Sequence, residues 1–195
     1  TDLSLRGLLQ AALESFAQRE ALLPDTIDQV YAFVIERYRN QLTQTPRSVV
    51  DAVLAIDPPI HQVLARISAT IVFSQTDDAP SLAAANKRIG NVLKKATDDL
   101  SSITRADPKR FQAGAEQALG AALARVAPLA QADMLQGHFA SALSHLATLR
   151  APVDTFFDDV MVMVDDSTIR QNRLALLNEL HRVMNQVADI SKLSA

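Results

Sequence analysis

Eight prolines stand almost wholly in the gaps between stretches rich in Ala, Leu, Gln, Glu and Arg, and their placement constrains this chain more than any other feature. A proline lacks the backbone N–H and fixes φ near the helical value, so it opens a helix readily and disrupts the interior of one. Taken with apolar residues spaced three and four apart, the prolines predict helices over 3–19, 25–42, 46–55, 58–73 and 80–96. Beyond a polar loop from Leu100 to Asp107, closed by Pro108, further helices are expected over about 109–126 and 131–149, in a segment opened by Pro152, and over about 167–191. Only 5 glycines occur, and no β-branched alternating run with a turn dipeptide interrupts the pattern. The expected fold class is therefore all-α, a helical bundle of about eight or nine helices. Residues 1–45 read as a helical segment from a preceding part and 46–195 as the main helical domain.

The absence of cysteine removes disulfides, thiolate zinc sites and cysteine nucleophiles together, in keeping with a reducing, cytoplasmic setting. No run of about 18 apolar residues occurs, so no membrane span is expected. With no initiator Met and no signal-like segment, a piece of a longer protein is expected. The net charge of −3 disfavours a purely electrostatic grip on nucleic acid, but the charge is unevenly spread. Residues 86–110 carry 7 basic and 3 acidic groups, whereas residues 1–85 carry 6 and 10.

Within that cationic stretch, LAAANKRIGNVLKKA separates cleanly when laid out at about 100° per residue. Ala85, Ile89, Val92, Leu93 and Ala96 share one arc; Lys87, Arg88, Asn91, Lys94 and Lys95 fall on the other side. Such a ridge could neutralise phosphates while Asn91 reads a base edge. It could equally be an ordinary solvated helix face, since no aromatic lies nearby in sequence to stack on a base. Arg105, Lys109 and Arg110 follow closely and could extend the patch.

Four carboxylates in TFFDDVMVMVDD, Asp158, Asp159, Asp165 and Asp166, invite a metal-site reading. Adjacent residues on a helix diverge by about 100°, and the D-x-D-x-D-G calcium pattern is absent, so no metal is expected there. A helix end explains them better: Phe156, Phe157, Val160, Met161 and Val164 supply core, and Asp165 to Ser167 can cap the helix that follows. Arg173 projects into the apolar face of the last helix and needs a partner, for which Asp158 or Asp159 is the expected structural ion pair. His138 and His145, seven apart, are too few for a metal site without an HExxH pattern, and no phosphate-loop, dinucleotide or nucleophile-elbow motif occurs. No catalytic residue is expected.

Residues 149–193, with PVDTFFDDVMVM, then RQNRLALL, then VADISKL in order, closely resemble the C-terminal region of the β subunit of bacterial, heterotetrameric glycyl-tRNA synthetase. FVIERYRNQL at 33–42, DAVLA at 51–55 and ANKRIGNVLKKA at 85–96 resemble segments of the same subunit, so the resemblance spans essentially the whole chain. It implies an all-helical anticodon-binding domain similar to the one that ends arginyl-tRNA synthetase. It further implies tRNA(Gly) and the enzyme's α subunit as partners, with neither DNA nor membrane. ATP and Mg would serve the parent enzyme, with no cofactor in this fragment. On that resemblance, Lys87, Arg88, Asn91, Lys94, Lys95, Arg105, Lys109 and Arg110 become the expected tRNA-binding residues. The rival readings are a helical subunit-assembly module without RNA binding, and a divalent-metal enzyme built on the aspartate pairs.

Overall fold

The structure, a computed structural model, describes residues 4–16, 25–96, 105–112 and 114–193. Among these, nine α-helices succeed one another: α1 (Leu5–Phe16), α2 (Thr26–Gln41), α3 (Arg47–Leu54), α4 (Val63–Ser74), α5 (Ala79–Lys95), α6 (Gly114–Leu135), α7 (Phe139–Ala147), α8 (Arg150–Asp159) and α9 (Ser167–Met184). Short 3-10 turns cover Ile60–Gln62, Pro108–Arg110 and Ile190–Leu193, and no strand occurs among the described residues. The chain is all-α, as its prolines require. Pro46 immediately precedes α3 and Pro80 sits in the first turn of α5, positions where a missing N–H costs nothing. The expected loop at 100–107 falls largely outside the described residues.

Two helices depart from expectation. Pro128 lies inside α6, which runs unbroken where two helices with a gap after Val126 were expected. Pro128 and Ala124, whose carbonyl loses its helical donor, are both exposed, so water can serve that carbonyl. The break comes later, at Gly137, whose φ of 77° is a left-handed conformation that favours glycine; His138 N–H then bonds back to the Asp133 carbonyl at 2.8 Å. The last helix likewise ends at Met184, and a turn leads into Ile190–Leu193.

The main core gathers around α9, which is buried at every residue from Asn172 to Leu177 and packs on α5 and α6. α6 packs in turn on α7 and α8. A second, smaller core joins Ile35 of α2, Val49, Val50 and Val53 of α3, and Val63 and Ile67 of α4 to Ala188 from the C-terminal segment. That segment is tied down from two sides. Asp189 N–H bonds to the Ala52 carbonyl at 2.8 Å, and buried Arg66 of α4 donates through Nη1 to the carbonyls of Gln186 (2.6 Å) and Val187 (3.0 Å) while lying 4.6 Å over the Phe139 ring.

The expected pairing of Arg173 with Asp158 or Asp159 is not what forms. Arg173, 9% exposed, donates from Nε to Oε1 of Glu116 on α6, which is 1% exposed, and from Nη1 to the Met161 carbonyl at 2.8 Å. Asp158 and Asp159 both face solvent, where their charge costs little to hydrate. Met161, expected in the core, is 73% exposed. α8 stops at Asp159 and the backbone turns extended at Val160, so side chains alternate: Val160 and Val162 point in, Met161 and Met163 out. Asp166 caps α9 as expected, its Oδ1 accepting from Thr168 N (2.8 Å) and Ile169 N (3.1 Å).

Candidate nucleic-acid interface

Helix α5 folds with the two faces read from its sequence. Leu82, Ala85 and Ile89 are buried in the main core, with Val92 and Leu93 packed at its margin, while Lys87, Arg88, Asn91, Lys94 and Lys95 are all exposed. Asn86, which sequence spacing gave no reason to single out, is fully buried and exchanges amide hydrogen bonds with Asn185 (2.8 and 3.3 Å), joining α5 to the end of α9. The ridge is therefore held rigidly from behind.

The seven expected cations and the amide do not converge on one spot. Lys87, Asn91 and Lys94 line a half-open cleft of about 520 Å³, completed by Asn86, Gly90 and Leu93 of α5, His181 of α9, and Asp189 and Ser191 of the C-terminal segment. Arg88 turns the other way, into a cleft of about 410 Å³ with Ser81, Asp154, Phe157 and Asp158. Its guanidinium lies 4.2 Å over the Phe157 ring. The aromatic missing from the sequence neighbourhood is thus delivered by α8, a contact that no local pattern could announce. Lys95 is exposed near the C-terminal end of the helix.

Arg105, Lys109 and Arg110 belong to a separate segment, fixed to α9 by Asp107 N–H on Asn172 Oδ1 (2.7 Å) and Asn172 Nδ2 on the Asp107 carbonyl (3.1 Å). Arg105 faces Glu179 at 3.5 Å beside a pocket of about 390 Å³, and Arg110 faces Asp107 at 3.4 Å. Glu179 and His181 are two positions apart on α9, about 200° around it. The second cationic group therefore flanks the opposite side of α9 from the Lys87 cleft.

His181 is the residue of the Lys87 cleft that sequence reasoning passed over. Its Nε2 looks onto Gly90, where a Cβ would stand 3.5 Å away, so the ring rests on the one residue of the α5 face that has no side chain. Burial pushes the imidazole below its ordinary value; Asp189 opposes that shift and Lys94 adds to it. The other conspicuous histidines, His138 and His145, both address Asp133, at 3.8 and 3.3 Å, across the junction of α6 and α7. Among the described residues no group of three or more His, Cys, Asp or Glu is arranged to hold a metal ion, and no helix is long and apolar enough to cross a membrane.

Residues 82–195, which begin within α5 and contain every lining residue of the Lys87 cleft, match the family model of the DALR anticodon binding domain. The glycine–tRNA ligase beta subunit of Thiobacillus denitrificans is 46% identical over 196 residues, covering 99% of this chain and 27% of that protein. The beta subunits of Aromatoleum aromaticum (47% identical, 99% and 28% covered) and Methylobacillus flagellatus (42%, 99% and 27%) are similar in the same way. This chain spans just over a quarter of the length of those relatives. With more than half its residues inside the matched family model and its ridge helix at the start of the match, the chain belongs to the DALR anticodon binding domain family.

Proposed function

We propose that this chain grips the anticodon end of tRNA(Gly) through the exposed face of α5 and so holds the tRNA for glycylation by the glycine–tRNA ligase of which it forms part. One observation carries the reading: Lys87, Arg88, Asn91, Lys94 and Lys95 all project from one rigidly backed helix within the region that matches an anticodon-binding family. Cations so placed neutralise backbone phosphates, and the flanking clefts offer space for unstacked bases. Bond-making, with ATP and Mg, then lies in other parts of the enzyme, notably its α subunit, and this chain contributes position. Arg105, Lys109 and Arg110 serve as a second contact strip beyond α9.

A second reading, subunit assembly without RNA contact, draws support from Leu64 and Val72, both well exposed two turns apart on α4. Binding of the chain to tRNA(Gly), and to the same tRNA with a substituted anticodon, separates the two across a salt series. The tRNA reading expects preference for the native anticodon and a steep salt dependence. Replacing Lys87, Arg88, Lys94 and Lys95 by Ala should then flatten the salt slope by about three to four units and weaken binding at least tenfold. Salt-independent binding, or affinity untouched by the fourfold substitution, refutes it.

A further inference from the structure

The Lys87 cleft carries more than general phosphate attraction. Lys87 and Lys94 are seven residues apart on α5, about 10.5 Å along the helix axis, with Asn91 between them one turn from each. Opposite stands His181, part-buried, with neither ring nitrogen hydrogen-bonded among the described residues and Nε2 facing Gly90. The charged groups of its lining are Lys87 and Lys94 from α5 and Asp189 from the C-terminal segment. Between the two cations, Asn91 offers both a donor and an acceptor, and a neutral imidazole offers one of each. That arrangement suits a ligand with two anionic ends and a flat polar middle. A duplex cannot present one, because its bases are stacked and paired; a single unpaired nucleotide flanked by its two phosphates can.

We propose that this cleft seats one unpaired nucleotide of the bound tRNA, Lys87 and Lys94 holding its flanking phosphates and Asn91 and His181 contacting its base edge. This rests on the tRNA-binding reading above and adds to it the two residues that set base preference. Gly90 also lines the cleft, and a Cβ there would stand 3.5 Å from His181 Nε2. The Arg88–Phe157 cleft on the other flank differs in kind, since its arginine is already stacked and its rim carries Asp154 and Asp158.

The test measures affinity of the chain for tRNA(Gly) and for anticodon-substituted tRNA(Gly), expressed as their ratio. Asn91→Ala and His181→Ala should each reduce that ratio about tenfold while affinity for the substituted tRNA changes less than threefold. Lys87→Ala with Lys94→Ala should instead weaken both tRNAs together and flatten the salt slope by about two units. If the unaltered chain prefers the native anticodon and that ratio survives Asn91→Ala and His181→Ala, the cleft assignment is wrong and the tRNA reading stands. If the unaltered chain binds both tRNAs equally, or neither, both fall.

Discussion

Glu116 and Arg173 are joined across the main core with 1% and 10% of their side-chain surfaces exposed, so removing either one strands a charge where water cannot reach it. Glu116→Leu leaves the guanidinium with the Met161 carbonyl at 2.8 Å, and deprives the Gln112 N–H of the Oε2 that accepts from it at 2.6 Å. The expected loss is ~3–5 kcal/mol, and for a chain of this length each kcal/mol lowers Tm by about 2–4 °C, giving a fall of about 6–20 °C. Arg173→Leu should cost a similar amount by removing the cation that balances the buried carboxylate. The double variant should be far milder, about 0–2 kcal/mol, because two leucines restore volume and no charge remains inside. Gln112 and Met161 are themselves exposed residues, so water can serve the backbone groups released. Urea unfolding of all four proteins, followed by far-UV circular dichroism with the slope checked for constancy, gives the coupling energy directly. Costs that add to within about 0.5 kcal/mol would refute the pairing as the reason for either residue.

Gly120→Ala would set a methyl 2.6 Å from Cε2 and 2.9 Å from Cζ of Phe111, displacing the ring; a loss of about 1–3 kcal/mol is expected, read as a lower urea midpoint, and Phe111→Ala in the same chain should recover part of it. An unchanged midpoint for Gly120→Ala means the ring does not rest on α6. Asp166→Ala removes the acceptor for two N–H groups at the start of α9 and should cost about 1 kcal/mol, whereas Asp159→Ala, whose carboxylate is exposed, should stay within about 0.5 kcal/mol. His181 has a depressed pKa in the fold, so the unfolded chain takes up its proton first: its contribution to stability is present above about pH 6.5 and is lost as pH falls through the lower folded value. The stability difference between the chain and His181→Gln should therefore shift against the unaltered chain on acidification below that point; a flat difference from pH 7.5 to 5 contradicts the assignment.

The helices were legible because proline placement and apolar spacing act locally, and the two faces of α5 could be read off by angle alone. Local signals end where partners come from afar. Arg173 was recognised as a buried cation in need of an acid, but Glu116 lies 57 residues away on a helix whose own spacing marked it as unremarkable, and the aspartates near in sequence were the wrong choice. Phe157 reaching Arg88, and His181 reaching Gly90, likewise depend on how α8 and α9 dock on α5. The gap expected after Val126 does not form, because Pro128 and Ala124 face water, which can serve the carbonyl that loses its donor. Met161 misled for another reason: the helical period was continued past Asp159, where the backbone had already changed to a period of two.

The C-terminal segment has a consequence for how the chain can be made. Ala188 completes the smaller core while Val187 and Ile190 belong to the larger, and the Arg66 clasp closes on residues 186 and 187. On a ribosome that emits the chain from its N-terminus, neither core can close until that stretch has cleared the exit tunnel. Until then the packing of α3 and α4 lacks Ala188 and the bonds made by Arg66 and Ala52 to that segment. The interval between translating α4 and translating residue 190 is thus the period when a nascent chain most needs chaperone cover, and slow codons placed there would lengthen it.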